Sequence, residues 1–278
     1  MNRRTSLTRL TATLALTIAF GAQAQQAGAV SPASSSTPIK NIVLVHGLYA
    51  DGSSWSKVIP RLQAKGLHVT AVQNPTTTFQ DDVDAVKRVL ALQDGPTLLV
   101  AHSYGGMVIS EAGADPKVTG LVYIAARAPD AGEDYPALTR QFPAAPASAG
   151  LKWEADGFGA LTETAFVNDF AGDLPPAQAH AYFAVQQRMG KPVTQAKTTV
   201  AAWRAKPTWY AVSSEDRTIN PDLQRFMAKR MGARTIELHA SHVSLLSHPQ
   251  EVANLILEAA HVNRENQAGG PCCAGPAE

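Results

Sequence analysis

The stretch Ala101-His102-Ser103-Tyr104-Gly105-Gly106 constrains this chain more than any other. It follows the apolar run Pro96-Thr97-Leu98-Leu99-Val100 and precedes Met107-Val108-Ile109-Ser110-Glu111-Ala112, a run compatible with a helix. Strand, sharp turn and helix therefore succeed one another, with a serine at the tip. Such a turn pushes the serine Oγ out of the sheet. It also aims backbone N–H groups at the N-terminus of the next helix, where an oxyanion can be held. The usual pattern is Gly-x-Ser-x-Gly. Here Ala101, still small enough for close packing, replaces the first glycine, and Gly105 is kept.

The rest of the chain can supply a domain around that turn. Its 278 residues are 45% hydrophobic and 17% charged, with a formal net charge of +1. That suffices for one large globular domain with its own core. A near-neutral balance gives no electrostatic reason for binding nucleic acid or an anionic membrane, and the sequence shows no basic stripe, zinc-ligand spacing or internal repeat. The N-terminus reads as an export signal over residues 1–24: a basic start at Arg3-Arg4, an apolar stretch from Leu7 to Phe20 too short for a comfortable span, and a small-x-small site at Ala22-Gln23-Ala24. The expected location is periplasmic or secreted, with no stable membrane insertion after cleavage. Residues 25–38 read as a disordered lead-in. The two cysteines, Cys272 and Cys273, are adjacent in a Gly/Pro-rich tail over residues 263–278, so no disulfide is expected to staple the fold.

Continuous apolar runs, which suit strands buried on both faces, occur at Ile42–Val45, Leu98–Val100, Val118–Ala125 and Thr208–Val212, with shorter ones at His68–Val72 and Thr235–Leu238. Helical patterns fill Trp55–Ala64, Phe79–Leu92, Pro221–Met231 and Pro249–Ala260. Alternation of this kind predicts an α/β architecture: a mostly parallel sheet of about six strands with helices on both faces. The core is expected over residues 39–134 and 206–262. Between them, residues 135–205 show no clear buried strand but contain helix-compatible pieces at Leu161–Phe170 and Ala177–Met189. They are read as an inserted helical cap over the carboxyl ends of the strands, where such sheets bind ligands.

A serine needs a base, and the base an orienting carboxylate. Of the eight histidines, His68, His180 and His261 lie outside the loops that follow late strands, and His46 and His102 sit where backbone geometry dominates. His239 ends the last strand and His248 precedes Pro249 at a helix start. His242 lies in the loop just past the last strand, on the same edge as Ser103, and is the expected base. The acid is expected from the loop Ser213-Ser214-Glu215-Asp216-Arg217: Asp216 first, Glu215 as its near alternative, and Asp130 as a further one. The chain order Ser103…Asp216…His242 is that of a hydrolase on this kind of sheet. The oxyanion donors are expected to be the N–H groups of Tyr104 and Leu48, with Gly47 letting the chain turn. The cap is expected to form an apolar pocket walled by aromatics from among Phe158, Phe166, Phe170, Tyr182, Phe183 and Trp203. His102, Phe166 and Trp203 are the substrate-binding candidates. No metal and no cofactor is called for.

These residues resemble the α/β-hydrolase superfamily from Ile42 to about Ala260. Within it the chain is similar to the cofactor-free group of plant methylesterases, hydroxynitrile lyases and bacterial pyrethroid-type carboxylesterases. The resemblance is carried by Val45-His46-Gly47 with Trp55, by the serine turn, by Ser214-Glu215-Asp216-Arg217-Thr218-Ile219 with Gln224-Arg225-Phe226, and by Ser241-His242. It implies a Ser103/Asp216/His242 triad and an oxyanion hole at Leu48 and Tyr104. The lyases carry Thr where this chain has Gly47 and Lys where it has Val243. The missing cation, which a lyase needs for cyanide, points to an esterase acting on small, apolar carboxylic esters. Perhydrolase or carbon–carbon bond hydrolysis on the same triad, or a non-catalytic ligand-binding role, are the competing expectations.

Overall fold

The computed structural model describes residues 39–260. The expected export signal, the lead-in and the cysteine tail lie outside the described residues, as do His261 and the last residues of the expected core. The apolar runs form strands β1 (Asn41–Val45), β2 (His68–Val72), β3 (Thr97–His102), β4 (Val118–Ile124), β5 (Thr208–Ser213) and β6 (Arg234–Leu238). They pair in the order β2-β1-β3-β4-β5-β6, every pair parallel. β1, β3 and β5 are buried at every position, whereas the edge strands β2 and β6 are partly exposed. The hydrophobicity of the inner runs follows from their being covered on both faces. Register sets Val45 beside Ala101 and His102 beside Ile124, so the carboxyl ends of β1, β3 and β4 end level.

Helices α1 (Ile59–Gln63), α2 (Phe79–Ala91), α3 (Gly105–Ala112), α4 (Pro221–Arg230) and α5 (Pro249–Ala259) connect the strands. α2 starts where the Thr78 side chain accepts from the Asp81 N–H, and it buries Val83, Val86 and Leu90 at helical spacing. The helix expected over Trp55–Ala64 is split. A 3₁₀ turn at Gly52–Trp55, capped by Asp51, comes first, and α1 begins only at Ile59. Pro60 accounts for the break: without an N–H, and with a ring that clashes one turn back, it is tolerated only in a first turn.

The insertion lies between β4 and β5. Its helices are shorter than expected: Tyr135–Thr139, Glu163–Ala165 running into a π-helical turn at Phe166–Phe170, and Pro176–Ala184. A small antiparallel sheet of Leu151–Trp153, Phe158–Leu161 and Met189–Gly190 takes the place of the outer ends. Leu161 therefore ends a strand, and Met189 belongs to another. The hairpin turns at Asp156-Gly157, with Gly157 at φ 82°. That dipeptide was the readable sign of a hairpin; the strands themselves are too short and too exposed to show as apolar runs. Among the described residues no helix is long and apolar enough to cross a membrane.

The serine turn depends on close backbone approach. A Cβ on Gly106 would lie 2.1 Å from the Arg127 carbonyl oxygen, and one on Gly105 2.9 Å from that of Val45. Neither neighbour is a side chain that can swing away. Gly106→Ala is expected to lower stability by about 1–3 kcal/mol in chemical denaturation; an unchanged midpoint would show that the turn can move.

Candidate active site

Ser103 stands between β3 and α3 with φ 55°, a left-handed conformation that costs a non-glycine residue on the order of 1–3 kcal/mol. The neighbouring backbone holds it there. Its N–H donates to the Ile124 carbonyl at 3.2 Å, and its own carbonyl accepts from Gly106 at 3.0 Å and Arg127 at 2.9 Å. A Cβ on Gly47 would lie 2.5 Å from the Ser103 Cβ, so glycine there lets the loop after β1 press against the serine. Among the described residues, neither the Leu48 nor the Tyr104 N–H donates to a protein acceptor.

β5 and β6 deliver the other two groups. His242 Nδ1 lies 2.6 Å from Asp216 Oδ2, and its Nε2 lies 2.8 Å from Ser103 Oγ. Asp216 is filled with donors: Oδ1 accepts from the Thr218 and Ile219 N–H groups at 2.7 and 2.9 Å, and Oδ2 also accepts from Gln224 Nε2 at 2.7 Å. Set among donors, the Asp216 carboxyl acts as an acceptor and takes the proton-bearing Nδ1 of His242, which leaves Nε2 free to accept from the serine hydroxyl. The side chains of both residues are fully buried. The alternative acids lie apart. Glu215 faces His239 at 3.4 Å, both largely exposed. Asp130 is bound by Arg204, whose guanidinium holds its carboxyl well below the usual carboxylate range.

The flanking histidines support the backbone. His102 Nε2 donates to the His242 carbonyl at 2.9 Å, and burial pushes its basicity well down. His46 Nδ1 lies 2.8 Å from the Gly47 carbonyl and is lowered by burial as well. His102 thus steadies the catalytic loop, and its ring lies 4.6 Å from that of His242.

Three supporting residues escaped the sequence reading. Gln224 belongs to a quoted motif, yet only the fold shows it bridging the Ser213 N–H and Asp216. Asp173, from the cap, accepts from both the N–H and the hydroxyl of Ser241, beside His242. Asp82 reads as one of several charges on α2, but it is fully buried and accepts from the Tyr104 hydroxyl at 2.8 Å and the Thr76 N–H at 2.7 Å. Its spacing from Val86, one turn away on the buried face, was the available signal.

A cavity of about 410 Å³ opens between the core loops and the cap, with Leu48, Tyr49, Met107, Arg127 and Tyr135 in its walls. On the other side of Tyr49, a narrow pocket is lined by His102, Phe166, Phe170 and Tyr182. The Phe170 ring stands 5.1 Å from that of His242. Phe166 therefore sits where a pocket residue was expected, but Trp203 does not. It lines neither space: its indole N–H donates to the Pro129 carbonyl at 3.0 Å, and Arg204 and Arg230 stack on its ring. A buried indole needs a fixed acceptor, and the Pro129 carbonyl holds it in the core. Phe158 lies beneath Arg188 instead, and Phe183 packs on Phe166.

A sequence model of the Alpha/beta hydrolase family matches residues 42–255. The chain belongs to that family. This alpha/beta hydrolase is 28% identical over 253 residues to Methylesterase 7 of Arabidopsis thaliana, covering 80% of this chain and 96% of the relative. It is 27% identical over 256 residues to a pyrethroid hydrolase of Sphingobium wenxiniae, covering 82% and 90%. Its fold is like that of a pyrethroid hydrolase from Sphingobium faniae, with a TM-score of 0.67 over 82% of this chain and 99% of the other, at 23% identity. With that family and this geometry, Ser103, His242 and Asp216 form the triad of a serine hydrolase.

The buried Asp82 leaves a measurable trace in stability. Burial pushes its pKa up from 3.8 to about 6. Below the ordinary value the carboxyl is protonated in both states and costs nothing. As pH rises toward about 6 the unfolded chain ionises first, and the folded state loses relative stability. Above that the loss is complete and constant. The melting-temperature advantage of Asp82→Asn over the unsubstituted protein is therefore expected to grow between about pH 4 and pH 6 and level off beyond. A pH-independent difference would contradict it.

Proposed function

We propose that this protein is a carboxylesterase that transfers the acyl group of a small ester to water through Ser103. The observation that carries this reading is the continuous hydrogen-bonded chain from Asp216 through His242 to Ser103 Oγ, at 2.6 and 2.8 Å. His242 Nε2 takes the serine proton as Oγ attacks the ester carbonyl. Asp216 stabilises the imidazolium that results. The unspent N–H groups of Leu48 and Tyr104 are assigned to the oxyanion of the tetrahedral intermediate, one from each side of the serine. His242 then protonates the departing alcohol, and the same steps with water release the acid. Protein groups supply every proton transfer and every oxyanion contact in this sequence.

The names of the relatives, a methylesterase and a pyrethroid hydrolase, support an ester over other acyl substrates. The mostly apolar walls of the large cavity support a small apolar skeleton, and His102 and Phe166 are assigned to the narrow pocket that bounds the substrate on the other side of Tyr49. The export signal read in residues 1–24 supports a working location in the periplasm or outside the cell.

The test is release of p-nitrophenol from short-chain p-nitrophenyl esters. Ser103→Ala is expected to lower kcat by about 10⁴–10⁶-fold, and Asp216→Asn, which offers His242 the wrong partner, by about 10⁴-fold. Equal turnover by the protein and Ser103→Ala would remove the serine from the mechanism. Inactivity of both on every ester offered would favour the non-catalytic alternative.

A further inference from the structure

Arg127 follows β4, and its backbone N–H donates to the Ser103 carbonyl. Its side chain lines the 410 Å³ cavity together with Leu48. The guanidinium lies 5.0 Å from the centre of the Tyr135 ring and 5.8 Å from that of Tyr104, so aromatic faces account for part of its setting. Its polar needs are unmet. Among the described residues the guanidinium makes no hydrogen bond and no ion pair, and its Nε is buried without a partner.

The other arginines near carboxylates behave differently. Arg188, Arg204, Arg217, Arg225, Arg230 and Arg234 each hold an Asp or Glu. A half-buried guanidinium with no ion-pair partner is open to an anion from outside the protein, and here it lies on the wall of the cavity that the oxyanion candidate Leu48 also lines.

A second group points the same way. The Tyr135 hydroxyl, also in the cavity wall, is buried without a hydrogen-bond partner. Burial pushes its pKa up to about 12, so it stays a neutral donor. No Asp or Glu lines this cavity or its outer continuation, which Arg127 and Tyr135 share and to which Arg140 adds another cation. Unspent donors and positive charge lie side by side in the wall of a space whose other lining is largely apolar. A guanidinium fork matches a carboxylate in two parallel hydrogen bonds.

We infer that the ester cleaved here carries a carboxylate of its own, and that Arg127 with Tyr135 holds it while Ser103 acts on the ester group. The substrate class is the half ester of a dicarboxylic acid, or a small ester with an equivalent acid at its far end. This rests on the esterase reading above and refines it: the skeleton is apolar, and one end is anionic.

The test compares monomethyl adipate with methyl hexanoate, an ester of the same chain length without the second carboxylate. Methanol release is expected to give the protein a kcat/KM at least about tenfold higher for the half ester. In Arg127→Met that ratio should fall to one or below, and Arg127→Lys, which keeps the charge without the fork, should fall between. If Arg127→Met fails to fold by circular dichroism, the ratios for the unsubstituted protein and Arg127→Lys decide alone. Hydrolysis of p-nitrophenyl butyrate with no preference between the two methyl esters would overturn the carboxylate subsite and leave the esterase standing. If no ester is hydrolysed, the esterase reading fails by itself. Calorimetric titration of both methyl esters into Ser103→Ala then decides the subsite: selective binding of monomethyl adipate, lost on adding Arg127→Met, supports it, and equal binding or none refutes it. Inhibition by inorganic phosphate that matches or exceeds the effect of monomethyl adipate would make Arg127 a phosphate site and overturn the assignment.

Discussion

One carbonyl holds the site together. The Ser103 oxygen accepts from Gly106, at the start of α3, and from Arg127, after β4. The serine conformation is unfavourable alone, and these two bonds, with the serine N–H on Ile124, brace it from the following helix and the neighbouring strand. The missing side chain of Gly106 lets Arg127 come close enough to do so, and that of Gly105 lets the helix start sit against the end of β1. The position of the nucleophile is thus a property of β1, β3 and β4 ending level, and the apolar content of those strands is what keeps them inside the sheet.

Around this point the protein places its charges unequally. Asp216 accepts from four donors, which offset the cost of burying its carboxyl. Asp82, with two donors, is pushed upward by burial, yet its bond to the Tyr104 hydroxyl fixes the residue next to the nucleophile. The two flanking histidines are kept neutral by burial and serve backbone carbonyls. His242 alone of the three is joined to both a carboxylate and a hydroxyl.

The six parallel strands and the three triad members were legible because each rests on a local pattern: an apolar run, a turn of small residues, a titratable residue just past a strand. What was not legible depends on contacts between distant segments. Trp203 looked like any cap aromatic, and only its bond to Pro129 places it in the core. Asp82 looked like a solvated helix charge, and nothing local to Asp173 marked its contact with Ser241. The cap sheet was missed since its strands are too short to show a period, although Asp156-Gly157 marked its turn. The break before α1 could have been read from Pro60.

The bond between Asp173 and Ser241 joins two parts of the molecule with different tasks. Asp173 rides on the cap, while Ser241 directly precedes the general base. Displacing the cap would withdraw an acceptor from the loop that carries His242. The roof over the site and the setting of its base are therefore mechanically one: the carboxylate that ties the cap down also holds the residue before His242.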